Sequence, residues 1–134
     1  MRVDYAFICD YADTKDKVNA LGIGFEKIFA AQVPTTHPHF HIVAQLRFSR
    51  SEVGAKDVVV LLIDADGGDV ISPLKGRIDI KQPPPGQLET TVRINMGFNN
   101  VKFKDYGNYS VRVSVAGQEM VDIPLRIEET PKAA

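Results

Sequence analysis

The sequence predicts an all-β domain, an antiparallel two-sheet sandwich of about eight strands. Three observations predict it. Apolar and polar residues alternate in several segments, most cleanly along residues 109–115 and 39–49. Clusters of Gly, Pro, Asn and Asp separate those segments and mark turns. No long stretch repeats apolar residues at helical spacing, and at most one short helix fits. Side chains on a strand point alternately to opposite faces, so each segment has one apolar face, which a second sheet must bury.

The segment that anchors the prediction is 105–115. A polar turn holding Gly107 leads into a strand with Tyr109, Val111, Val113 and Val115 on one face. Asn108, Ser110, Arg112 and Ser114 take the other. In chain order, Arg2–Cys9 reads as a strand with Val3, Tyr5, Phe7 and Cys9 on one side. Residues 10–17 are polar and charged, a loop. Residues 18–30 read best as a strand with Leu21, Ile23 and Phe25 on one face, Gly22 and Gly24 leaving the other bare. Gly22-Ile23-Gly24 is no phosphate loop, because the third glycine and the lysine are missing. Residues 32–38, with two prolines, read as a loop. Residues 39–49 form a clear strand, with Phe40, Ile42, Ala44, Leu46 and Phe48 inward and His39, His41, Val43, Gln45, Arg47 and Ser49 outward.

Residues 58–63 are six apolar residues in a row, a strand that wants burial on both faces. Residues 64–69 form a turn. Residues 70–74 and 76–80 are short strand pieces on either side of the Pro73 region. Residues 81–87, with Pro83-Pro84-Pro85, are a stiff crossing between sheets, with a polyproline ligand as the other reading. Residues 88–96 alternate with Val92, Ile94 and Met96 inward, and 97–104 turn at Asn99-Asn100. After a tight hairpin at 116–118, residues 119–127 return with Val121, Ile123, Leu125 and Ile127 inward. Pro124 marks an edge-like position there. One domain is expected over 1–128, and a flexible tail over 129–134.

The bulk numbers fit that picture and exclude some functions. A chain of 134 residues accommodates one domain with a real core. A net charge of −1 and the lack of any Lys/Arg run argue against nucleic acid and against an anionic membrane as partners. The single cysteine, Cys9, cannot form an internal disulfide and suits a reducing compartment. With no basic neighbour in sequence, it reads as a small core residue and not as a nucleophile. The N-terminus carries no signal-peptide pattern, and the longest apolar run is too short to span a bilayer. A cytoplasmic location is expected.

Asp105-x-Gly107-x-Tyr109-x-Val111 resembles the approach to the penultimate strand of immunoglobulin-like domains. There a tyrosine near the strand start bonds back across the corner, so the resemblance implies a structural corner at Asp105, Gly107 and Tyr109. Val111 stands where the second disulfide cysteine would be, and the chain has no cysteine pair and no tryptophan. The resemblance thus implies an immunoglobulin-like sandwich and not antibody-type function. Three further stretches resemble a family of small bacterial single-domain proteins of unknown function. They are Met1-Arg2-Val3-Asp4-Tyr5-Ala6-Phe7-Ile8-Cys9-Asp10-Tyr11, Leu21-Gly22-Ile23-Gly24 and Leu62-Ile63-Asp64-Ala65-Asp66-Gly67. This second resemblance implies a bacterial, stand-alone domain and brings no activity.

The sharpest chemical constellation is His37, His39 and His41, all the histidines of the chain. Neutral imidazole is a favoured zinc ligand, and three with an open position is a catalytic arrangement. Yet residues two apart on a strand are separated by about 7 Å, so three in a row reach one ion poorly. His37 precedes Pro38 and falls in the expected loop, and no cysteine or carboxylate stands nearby to replace it. Solvent-facing histidines on an exposed strand are the plainer reading. The acidic turn Asp64, Asp66, Asp69 fails the EF-hand pattern, with Gly68 at position five and Lys75 at position twelve. Neither Gly-x-Ser-x-Gly nor His-Glu-x-x-His occurs. Nothing pairs two carboxylates across a cleft. Arg47, Arg93 and Arg112 face outward but lack the interleaved aromatics of a nucleic-acid surface.

No catalytic residue and no cofactor is therefore assigned. The expected function is a non-enzymatic interaction or scaffolding module that self-associates or docks onto another protein. Its motive is the apolar run 58–63, an interaction surface if exposed. The alternative is a metal-binding protein or metal-dependent enzyme using His37, His39 and His41. A small-molecule carrier with a gap between its sheets is a third reading.

Overall fold

The computed structural model describes residues 1–131, which are all-β, with ten strands and no α-helix. The early strands are β1 (Arg2–Cys9), β2 (Tyr11–Asp13), β3 (Asn19–Leu21), β4 (Lys27–Ala30) and β5 (Thr35–Ser49). They are followed by β6 (Gly54–Asp64), β7 (Leu74–Ile80), β8 (Glu89–Phe103), β9 (Gly107–Val115) and β10 (Gln118–Glu129). Three sheets result, with strand orders β1-β5-β8, β4-β10-β9-β6-β7 and β2-β3. The β4–β10 pair is parallel, against the antiparallel expectation.

The two larger sheets share one core. Phe40, Ile42, Leu46 and Phe48 of β5 join Val60 and Leu62 of β6 and Val111 and Val113 of β9 in it. Phe40 stacks on Phe98 with ring centroids 4.8 Å apart. Each fully buried side chain of this kind contributes about 1.5–3 kcal/mol. The inward residues expected on β5 and β9 are buried, but so are His41 and Val43, which were expected to face outward; Val43 packs with Cys9 and Ala12 in a second small cluster on the other face of β5. The run 58–63 lies in β6, between β9 and β7, and four of its six residues are buried. The burial expected for that run is found, so it does not serve as an exposed interaction surface.

Several boundaries differ from expectation for physical reasons. β5 begins at Thr35, so His37 and Pro38 lie on a strand and not in a loop. Pro38 is tolerated because β1 covers β5 only from His41 to Arg47, and because the β5–β8 register skips it between His37↔Val101 and His39↔Asn99. Opposite it, Asn100 takes φ 51°, a local kink within β8 and not the end of the strand. Pro124 sits just before the β4 pairing starts at Arg126, so on that side its missing N–H has no strand to serve. Residues 10–30 hold three short strands where one loop and one strand were expected. The expected tail starts later than residue 129. Glu129 pairs with Ala30, and the Thr130 N–H donates to the Ala30 carbonyl at 3.0 Å. Residues 132–134 of that tail lie outside the described ones.

The corner before β9 is held by one hydroxyl. Tyr109 Oη donates to the main-chain carbonyl of Asp105 at 2.7 Å. Its ring packs edge-on against Phe103 with centroids 4.9 Å apart. Burial raises the phenol's pKa above its ordinary value, so the hydroxyl stays protonated and able to donate. Gly107 takes φ 128°, a conformation side chains avoid.

Candidate functional site

Two neighbouring features stand out where residues 10–30 fold back on the start of β5. The first is an open cleft of about 480 Å³. Its polar wall is Asp10, Lys27 and His37, and its apolar wall includes Ile23, Phe25 and Phe29. β1 delivers Asp10, whose N–H donates to the Leu21 carbonyl at 2.9 Å. The Gly24 N–H donates to the Ile8 carbonyl at 2.8 Å, which closes the loop against the strand end. Gly22, at φ 65°, must be glycine on two counts. The conformation is left-handed, and the Asp10 carboxylate occupies the space a Cβ would need. Gly22 thus makes way for Asp10, Gly24 ties back to Ile8, and the strand expected over 18–30 breaks there. His37 lies against Phe25 and Phe40, and burial lowers its pKa.

The second feature is a histidine pair. His39 and His41 stand on the outer face of β5 with ring centroids 4.6 Å apart. His39 Nδ1 faces Asn99 Oδ1 at 2.6 Å, and His41 Nδ1 faces Asn95 Oδ1 at 2.7 Å. Asn95 Nδ2 donates to the Ala12 carbonyl at 3.1 Å. A carbonyl only accepts, so the Asn95 amide is fixed with its oxygen toward His41, and His41 Nδ1 must carry the proton. In the neutral ring the lone pair then sits on Nε2, which is buried without a partner. His41 is only 9% exposed, because the β2–β3 ribbon folds over it and Tyr11 lies edge-on at 5.1 Å. The solvent-facing reading of this histidine is therefore corrected. Its cover comes from a segment whose polar composition read as a loop.

The three histidines do not act as one set. His37 turns to the cleft, while His39 and His41 pair. Among the described residues no group of three or more His, Cys, Asp or Glu side chains is placed to hold a metal ion.

A family model described as a family of unknown function (DUF6941) matches residues 4–128. The chain belongs to that family. No curated protein and no solved structure matches it.

The other candidates in this DUF6941 chain have structural employment. Cys9 is fully buried, and burial raises its thiol pKa, away from thiolate chemistry. Asp64 Oδ1 accepts from the N–H groups of Asp66 at 3.0 Å and Gly68 at 2.8 Å, so the acidic turn spends that carboxylate on its own backbone. Arg47 binds Asp4 at 2.8 Å, Arg93 binds Gln45 and the Asp16 carbonyl, and Arg112 faces Glu119 and Asp122. No helix of the described residues is long and apolar enough to cross a membrane. Sequence reasoning missed Tyr11, Asn95, Gly97 and Asn99. A signal existed in Asn95-x-Gly97-x-Asn99, which repeats on one face as His39-x-His41 does. Only the β5–β8 register shows that the two motifs face each other.

Proposed function

We propose that this DUF6941 chain is a non-enzymatic interaction module with an immunoglobulin-like sandwich fold, and that its partner is a second copy of itself. One observation supports the function most. Ile23 (60% exposed) and Phe29 (52%) line the cleft, and Tyr11 (54%) and Leu21 (69%) stand on the β2–β3 ribbon that adjoins it through Asp10 and Gly22. Tyr11 and Leu21 are direct cross-strand partners, and Ile23 and Phe29 line the same cavity. Single exposed apolar residues are ordinary, but a contiguous set at a concavity is a docking surface. β4, which carries Phe29, is the terminal strand of its sheet, and among the described residues no strand pairs with its other edge. A net charge of −1 sets little repulsion between copies, and a self-complementary patch closes naturally into a two-fold dimer.

The immunoglobulin-like assignment draws support from the Tyr109–Asp105 bond and the shared two-sheet core. A bacterial, cytoplasmic setting belongs to the same proposal; a buried lone cysteine suits a reducing compartment.

Light scattering on a size-exclusion column tests the function. The expected mass rises toward a dimer as concentration climbs from about 1 to about 100 μM. Leu21→Asp with Ile23→Asp should return it to monomer, while Leu88→Asp, at an exposed site before β8, should not. A monomer mass at every concentration contradicts the proposal.

A further inference from the structure

We propose that His39 and His41 form a binding site for a divalent transition-metal ion, held through their two Nε2 atoms. The site is independent of the proposed dimer. It rests on an unpartnered atom and on how its neighbours are arranged.

A buried polar atom without a hydrogen bond is costly, and His41 Nε2 is one. The ring cannot relieve this by flipping, because Asn95 holds Nδ1 and Ala12 holds Asn95. Asn99 Oδ1 lies 2.6 Å from Nδ1 of His39. His41 is thus set with Nδ1 tied to an amide oxygen, and His39 Nδ1 lies beside a second one. Metal-ligating histidines are typically oriented so, the second nitrogen bonded to an acceptor that fixes the tautomer and raises ligand basicity.

The two rings also converge on one place, with centroids 4.6 Å apart. Gly97 is the cross-strand partner of His41, and a Cβ there would meet His39 Cε1 at 3.3 Å, His41 Cε1 at 3.3 Å and His41 Nε2 at 3.4 Å. The edges of both rings therefore border the same small space over Gly97. The Tyr11 ring lies beside the pair, with its centroid 5.1 Å from that of His41 and 6.4 Å from that of His39. No carboxylate or thiolate joins the pair to make a group of three among the described residues, so water or a small external ligand completes the coordination. Two imidazoles and open positions suit Cu(II), Ni(II) or Zn(II) and not Mg(II) or Ca(II), which want oxygen. The affinity order of such a site puts Cu(II) above Ni(II) and Zn(II).

Calorimetric titration of the full, tag-free chain with Cu(II), and separately with Zn(II), tests the site in a non-coordinating buffer. One equivalent of Cu(II) should bind with a dissociation constant below about 10 μM, and Zn(II) more weakly. The Cu(II) electron paramagnetic resonance spectrum should show two equatorial nitrogens. His39→Ala and His41→Ala should each weaken binding at least about tenfold, as should Asn95→Ala through lost orientation of its ring. His37→Ala should leave it unchanged. His39 is only half-buried, so its variant stays informative if His41→Ala fails to fold. Three results would each overturn the proposal: no binding tighter than about 100 μM, unchanged binding in folded His39→Ala, or loss on His37→Ala. Binding that survives in the self-association-blocked Leu21→Asp/Ile23→Asp chain separates this site from the dimer.

Discussion

Replacing Tyr109 with Phe removes a single oxygen from the corner that starts β9. The Asp105 carbonyl then loses the hydroxyl that reaches it at 2.7 Å, while the ring can stay against Phe103. A net hydrogen bond is worth about 0.5–1.5 kcal/mol, and an acceptor left unpaired and buried costs about 1–3 kcal/mol. The bond is half-buried, so water can reach part of the carbonyl, and the expected loss is about 1–2 kcal/mol. For a domain of this length that is a drop in melting temperature of about 3–8 °C. Thermal unfolding by circular dichroism, with urea unfolding at 25 °C as a second measure, reads it directly. The acceptor is main chain, so Asp105→Ala should stay within about 0.5 kcal/mol of wild type. A Tyr109→Phe protein indistinguishable from wild type, or an Asp105→Ala protein equally destabilised, would refute this account of the corner.

Gly22→Ala combines left-handed strain with a collision against the Asp10 carboxylate, so a loss of about 1–3 kcal/mol is expected in the same assay. Acid should weaken the fold through Asp4. The Arg47 hydrogen bond, aided by Gln45, lowers its pKa from 3.8 to about 2. A depressed carboxylate stabilises above its unfolded pKa, and that stability is lost as pH falls through the folded one. Melting temperature in wild type should therefore fall between pH 3.8 and about 2, and more gently in Arg47→Ala. Equal slopes in the two proteins would remove Asp4 from the explanation.

The long strands were legible in the sequence because alternation over many residues leaves one register for the apolar face. Phe40 to Phe48 on β5 and Tyr109 to Val115 on β9 show this. The strands β2, β3 and β4 were not legible, being three, three and four residues long, too short for a period to appear. That failure carried into the site. With residues 10–17 read as loop, nothing could cover His41, and its burial under Tyr11 went unseen. His39 and His41 were visible as a pair, but Asn95 and Asn99 lie on a strand more than fifty residues away in sequence. Pairing at that distance is set by the whole fold and by no local pattern. The apolar run 58–63 was legible as a strand wanting burial on both faces, and it lies between β9 and β7; only its use as a motive for an exposed interaction surface falls away.

The central claim is that one face, built from residues 10–13 and 19–30, is where this chain meets its copy. Amide ¹H–¹⁵N shifts followed through a dilution series test it residue by residue. The account predicts concentration-dependent shifts confined to Tyr11, Leu21, Ile23, Phe29 and their neighbours. Shifts that do not move with concentration, or that move along β7 and β8 instead, would contradict it.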